Sequence, residues 1–265
     1  MSEFFLELFS EEIPAGLQKN LREKILEDFK DLFEEKSIRS KKNFSFSTPN
    51  RLVLVFEGLD KQIKIKSKEI RGPKTSAPEQ ALEGFLRSNK INKKDLFKKK
   101  TEKDEFYFYK TVATSLKTHD LLTEFIPKIL SNYQWKKSMK WGEFDLNWGR
   151  PLKSILSIFD KKIVSFKFHH LTSSNLTFLD KDFEEKKRSF ENFKKYEKFF
   201  EDNGVIINQN KRLKIINKSF LKILGKKGLK INENPKLMDE VVNLVDSPNV
   251  LLCKFDKKFL SVPKE

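Results

Sequence analysis

The sequence predicts a mixed α/β or α+β fold: antiparallel or mixed sheets packed by helices, in two sub-domains, the second of them incomplete. Two observations predict it. Runs with an apolar side chain at every second residue alternate along the chain with runs of helical spacing. Hydrophobic residues make up 38% of the 265 residues, with 26 Phe, which is ample for a packed core. No segment repeats at a fixed period.

The first element is a strand: Phe4, Leu6 and Leu8 fall on one face, Phe5, Glu7 and Phe9 on the other. A helix is expected to open across Ser10–Pro14, with Ser10 as cap, Glu11 and Glu12 complementing the dipole and Pro14 in the first turn. Its apolar stripe is Leu17, Leu21, Ile25, Phe29 and Leu32 or Phe33. Phe44 and Phe46, a turn at Pro49-Asn50, and Leu52–Phe56 read as two joined strands. Gln62–Ile70 reads as one half-exposed strand, ended by Arg71-Gly72-Pro73.

Pro78–Ser88 is a short helix, and Lys-rich Asn89–Asp104 an exposed connection. Phe106–Ala113 is a strand with Tyr107 and Tyr109 on one side. Asp120–Tyr133 is a helix with Pro127 inside it or at a break, and Trp135–Pro151 is irregular. Leu152–Phe159 and Ile163–His169 are strands around an Asp160–Lys162 turn. Further on come helices at Phe190–Asp202, at Asn208–Leu224 ending on Gly225, and at Pro235–Val245. Short strands are expected at Val205–Ile207, at Val250–Phe255 and within Phe255–Glu265. A polar stretch from Leu171, followed by the charge run Asp180–Arg188, suggests regions 1–170 and 171–265, the latter cut short at its C-terminal end.

Composition bounds the function. No apolar run approaches the roughly 18–20 residues of a membrane span. The acidic start lacks a signal peptide's basic region and long apolar segment. Cys253 is the only cysteine, so neither an internal disulfide nor a cysteine-rich zinc site is available. A cytoplasmic protein without a membrane partner follows. The net charge of +16 favours polyanions. Lysine enrichment from AT-rich codons would give the same surplus, and charge alone does not choose between the two.

Catalytic signatures are wanting. Arg71-Gly-Pro-Lys-Thr-Ser76 lacks the first glycine of a phosphate-binding loop, and Pro73 precedes its lysine. His169 and His170, read on a strand, would point to opposite faces and could not share one ion; His119 is the only other histidine. Gly225–Gly228 is a helix stop. The suggestive segment is Trp135-Lys-Lys-Ser-Met-Lys140-Trp141, followed by Trp148-Gly-Arg150-Pro151. Aromatic faces can stack on bases while cations meet phosphates. Equally, the tryptophans can anchor an irregular segment in the core, with Lys136 and Lys137 exposed.

Several segments, taken in order, resemble the β subunit of the heterotetrameric bacterial glycyl-tRNA synthetase. Phe5–Pro14 (FLELFSEEIP) is similar to that family's opening, and Thr48-Pro-Asn-Arg51-Leu52 to its T-P-R-R-L. Arg71-Gly-Pro73 matches R-G-P, and Ala81–Phe85 resembles A-A-x-G-F. Lys137-Ser-Met-Lys-Trp141 resembles K-x-M-R-W, and Gly149-Arg-Pro151 resembles V-R-P. Glu240–Pro248, Phe255–Leu260 and Pro263–Glu265 resemble E-V-x-N-L-V-E-x-P, F-D-x-x-F-L and P-x-E. Lys140 stands where the family has Arg, and Asn50 replaces another Arg. The family's G-H-R-F is absent, with Thr177–Asp180 in its place.

The resemblance implies a longer complete subunit, continuing through an HD-type helical domain to an anticodon-binding domain. It implies that ATP, Mg and the adenylate chemistry reside on an α subunit, within an α2β2 tetramer. The β subunit would then supply contact with tRNA(Gly), and DNA would be no partner. No catalytic residue, metal ligand or cofactor is expected in this chain. The candidate tRNA contacts are Arg51, Arg71, Lys136, Lys137, Lys140, Trp141 and Arg150, chosen as cations, with one aromatic, at turns and irregular segments. The region expected to carry the tRNA body is 1–170. A stand-alone RNA-binding module and a non-catalytic assembly piece are the alternatives.

Overall fold

The computed structural model describes residues 2–65, 67–101, 104–179 and 187–261. In chain order the elements are β1 (Glu3–Ser10), α1 (Ala15–Glu35), β2 (Lys42–Thr48), β3 (Arg51–Glu57), β4 (Gln62–Ile65), β5 (Glu69–Lys74), α2 (Glu79–Asn89), β6 (Leu96–Lys100), β7 (Glu105–Lys110), β8 (Thr114–Lys117) and α3 (Thr118–Asn132). There follow β9 (Leu152–Phe159), β10 (Lys162–Ile163), β11 (Lys167–Phe168), β12 (Leu171–Thr172), β13 (Leu176–Phe178), β14 (Lys187–Ser189), α4 (Phe193–Asp202), α5 (Gln209–Lys227) and α6 (Pro235–Leu244). Among the described residues all the strand ladders are antiparallel, which is the expected mixed class. The chain divides into two compact units, one of residues 1–60 and 119–265, the other of 61–118. This division does not coincide with the boundary expected at residue 170.

The larger unit is built on a five-stranded sheet in the order β10-β9-β1-β3-β2. Its centre, β1, is buried on both faces because both sets of its alternating side chains are large and apolar. Phe4, Leu6 and Leu8 lie opposite Phe56, Leu54 and Leu52 on one face. Helix α1 covers that face with the expected stripe, and Phe4, Phe29, Phe33 and Phe56 form a chain of ring contacts, the closest pair 4.9 Å apart. The other face carries Phe5, Val53, Val55, Phe46, Leu156 and Ile158. They pack against Phe190, Tyr196, Phe200, Val205 and Ile207. Each such side chain, fully buried, contributes about 1.5–3 kcal/mol.

One polar cluster interrupts this apolar layer. Glu7 and Arg51 are both buried, with Arg51 Nε 3.4 Å from Glu7 Oε2. Tyr196 and Thr177 donate to the two carboxylate oxygens, and Arg51 Nη2 donates to the Phe178 carbonyl. The Arg51 guanidinium lies between the rings of Phe9 and Phe200, 4.5 Å from each. Burial pushes the Tyr196 phenol well above its ordinary value. Thr177 and the Phe178 carbonyl complete the cluster and so help close the core, while Asp180 lies outside the described residues.

The smaller unit holds a three-stranded sheet, β5-β7-β6, and a two-stranded one, β4-β8. Helix α2 packs on β5. The Phe85 ring occupies the space above Gly72, where an added Cβ would stand 2.9 Å from it. Phe106 and Phe108 are buried while Tyr107 and Tyr109 lie on the more open side.

Several expectations are corrected. Ser10 ends β1 and does not cap α1, which begins at Ala15 without a side-chain cap and with no acid in its first turn. Glu11 instead pairs with Lys153 at 2.9 Å. The single strand expected at Gln62–Ile70 is two strands with different partners, Lys66 lying outside the described residues. Arg71-Gly72-Pro73 does not end a strand. It lies inside β5, where Gly72 and Pro73 make an irregularity in the pairing with β7. The expected connection Asn89–Asp104 contains the edge strand β6, where exposed lysines discourage further pairing; Glu102 and Lys103 lie outside the described residues. Helix α5 runs through Gly225 and stops at Gly228, which is left-handed at φ 61°. Val205–Ile207 and Val250–Phe255 form no strand, and Lys257–Ser261 is a short 3-10 helix. Asp180–Lys186 and Val262–Glu265 lie outside the described residues.

Candidate nucleic-acid interface

The segment between α3 and β9 keeps its irregular form because rings, not a ladder, hold it. Trp135 meets Tyr133 at 4.9 Å and Trp148 at 5.0 Å, both edge to face. Trp148, 3% exposed, in turn meets Phe168 of β11 at 5.7 Å. Met139 and Trp148 exchange backbone hydrogen bonds of 2.8 and 3.1 Å, closing the loop 140–147, and Leu146 is buried within it. Trp135 and Trp148 are thus anchors, as the core reading of the tryptophans expects.

Gly149 is required by the same packing. A Cβ there would stand 2.2 Å from the Trp135 ring. Gly149→Ala is therefore expected to destabilise the protein by roughly 1–3 kcal/mol through overpacking. It should also redshift tryptophan emission as Trp135 is displaced. An unchanged melting temperature and spectrum would show that the ring can move aside freely.

Around this anchored base the predicted residues separate. Lys136, Lys137 and Lys140 are exposed, and among the described residues no carboxylate pairs with them. Trp141 is half-buried, its ring 5.9 Å from His170. Arg150 is half-buried and donates to the Gly149 carbonyl at 2.8 Å. These five lie on one segment. Arg71 lies in the other compact unit, exposed, with its guanidinium 3.6 Å from the Phe106 ring centre. Arg51 is not at the surface: it is 1% exposed and enclosed in the core cluster with Glu7. Its place directly after the Pro49-Asn50 turn suggested a solvated cation. The strand register instead puts it opposite Phe9 on a buried face.

Sequence reasoning missed Phe144 and His170, which stack at 3.7 Å with 9° between their planes. The histidines do not lie on a strand. His169 and His170 form the turn between β11 and β12, with His169 left-handed at φ 51°. His169 lies edge-on to Phe168 while His170 meets Phe144. Burial and the neighbouring His169 hold the His170 imidazole below its ordinary range. The available signal was the spacing Trp141-x-x-Phe144 in a loop already rich in cations. Among the described residues no group of three or more His, Cys, Asp or Glu side chains is placed to hold a metal ion, and no helix is long and apolar enough to cross a membrane.

An anchored, ring-bearing loop with unpaired lysines can do no bond chemistry by itself, but it can hold a polyanion that also offers flat faces. Comparison with known proteins identifies the family. A family model described as "Glycyl-tRNA synthetase beta subunit" matches residues 4–265. The glycine–tRNA ligase beta subunit of Rickettsia canadensis (strain McKiel) is 38% identical over 265 residues, spanning 100% of this chain and 40% of that protein. Those of Rickettsia conorii (strain ATCC VR-613 / Malish 7) and Rickettsia bellii (strain OSU 85-389) are each 39% identical over 265 residues, with the same coverage. These relatives are subunits of an aminoacyl-tRNA synthetase. The chain belongs to the glycyl-tRNA synthetase beta subunit family, and it spans 40% of the length of these relatives.

Proposed function

We propose that this chain is the N-terminal part of the β subunit of a cytoplasmic glycine–tRNA ligase, contributing tRNA binding and subunit assembly to the ATP-dependent glycylation of tRNA(Gly). On this reading the chemistry, with ATP and Mg, belongs to a separate α subunit in an α2β2 assembly, and no residue of this chain is catalytic. The observation that carries it is the family match from residue 4 to residue 265. The exposed, unpaired Lys136, Lys137 and Lys140 and the net charge of +16 support contact with a polyanion. Assembly draws support from the apolar residues left open along α5 and α6, Leu221 and Leu237 among them at 72% and 55% exposed.

Lys137→Ala with Lys140→Ala is expected to weaken tRNA binding and to flatten its dependence on salt. The slope of log K against log salt should fall by about two, since each phosphate that a lysine no longer neutralises lowers it by about one. Titration of labelled tRNA across a salt series measures it. An unchanged slope would remove this loop from the tRNA interface. Arg71→Ala, in the other unit, tests in the same way whether that unit shares the load.

A further inference from the structure

Phe144 lies 44% exposed, yet it is held in place. Its ring lies flat on His170 on one side, and the Met139–Trp148 bridge and buried Leu146 fix the loop that carries it. Gly142, left-handed at φ 56°, turns the chain so that the Phe144 ring comes back beneath it. A single exposed phenylalanine is ordinary. An exposed ring, held parallel to a second exposed ring in a loop that also carries exposed lysines, is a built surface with a flat shape.

Charge divides this surface into two. Glu143 and Asp145, both exposed, flank Phe144 and disfavour a phosphate at the ring itself. Lys136, Lys137 and Lys140 precede Trp141 and favour one. The occupant that fits is flat and uncharged at the ring and carries its negative charge on an adjoining group. An unpaired nucleotide has that form, whereas a duplex offers its bases only inside the stack. We infer that the Phe144–His170 pair is a stacking site for one unpaired nucleobase of a bound RNA, whose adjoining phosphates are met by Lys140 and Lys137. This rests on the reading of the loop as an RNA contact and adds to it what part of the RNA is held there.

The test compares a labelled single-stranded RNA oligonucleotide with a blunt RNA duplex of the same sequence, using the full chain. The wild type should prefer the single strand. Phe144→Ala should weaken single-strand binding about tenfold, the size of one base stack removed, and leave duplex binding and the salt slope as they were. Phe144→Tyr, which keeps the ring, should bind as the wild type does. Phe144 is exposed, so equal melting temperatures would confirm that both variants fold. If Phe144→Ala binds both RNAs like the wild type while Lys137→Ala/Lys140→Ala still flattens the salt slope, the stacking site is overturned and the basic surface stands. If the wild type shows no preference for the single strand, the stacking site is likewise overturned. If the wild type binds neither RNA, both fall together.

Discussion

Replacing Arg51 with methionine is expected to lower stability by about 3–5 kcal/mol, the usual result of stripping one partner from a buried ion pair. Methionine fills much of the slot between Phe9 and Phe200, so missing volume is not the main cause. The main cause is Glu7, left fully buried with only the Tyr196 and Thr177 hydroxyls to meet its charge. The double variant Glu7→Gln/Arg51→Met removes the stranded charge and should recover much of the loss. Midpoints of urea unfolding measure both. A loss under about 1 kcal/mol in Arg51→Met would show that Glu7 is content without its cation.

The pH dependence has a definite sign. Burial raises the Glu7 carboxyl above its ordinary value, although Arg51, Thr177 and Tyr196 all pull it down. A group raised in the folded state holds its proton more tightly there than in the unfolded chain. Its contribution to stability is thus complete below the unfolded pKa and is lost as the pH climbs through the folded one. Removing Arg51 removes the strongest of the lowering influences and shifts that window upward. Arg51→Met should therefore regain stability relative to the wild type as the pH falls, and Glu7→Gln/Arg51→Met should not.

The pair also explains what the sequence did and did not make legible. Alternation in Phe4–Phe9, the stripe of α1 and the β2–β3 hairpin were readable because each is a local period or a local turn. That Glu7 and Arg51 meet as diagonal neighbours on one face was not, because it depends on which residues of β1 and β3 are opposed. A slip of one residue would carry Glu7 onto the face that α1 covers, so the cluster penalises wrong registers as well as holding the right one. Val250–Phe255 failed for a related reason. It has strand-like side chains, but a strand needs a neighbour, and among the described residues none pairs with it. Gly225 failed because one glycine costs a helix only about 1 kcal/mol, too little to stop α5 before Gly228. At the candidate interface the loop itself was legible from Trp135 to Arg150. The ring that Phe144 presents was not, since it needs His170 from a separate hairpin.

Arg212→Ala is expected to be at least as damaging, for a different reason. Arg212 is buried at the meeting of β2, α5, α6 and the Val205–Ile207 stretch, and its guanidinium donates to four backbone carbonyls. These are Val242 at 2.9 Å, Ser47 at 2.8 Å, Ile206 at 2.5 Å and Ile207 at 3.1 Å. Truncation leaves all four without that donor and opens a cavity. Each stranded carbonyl costs about 1–3 kcal/mol before any relaxation, so a loss of several kcal/mol is expected. Lysine should rescue little, because a compact ammonium cannot reproduce a planar fork aimed at separate strands and helices. Burial, reinforced by nearby Arg22 and opposed by Asp246, lowers the Arg212 guanidinium to about 10. A cation lowered in the folded state binds its proton less tightly there, and the stability linked to that proton is lost as the pH falls through about 10. Near neutrality both states are fully charged. The damage in Arg212→Ala should thus be flat around neutrality, whereas that in Arg51→Met lessens as the pH falls. Hydrogen exchange locates the effect. Amides of α6 should lose protection first, since the Val242 carbonyl ties that helix to the sheet through Arg212. Uniform loss across β1, β3 and α6 together would instead mean that this corner and the central sheet unfold as one.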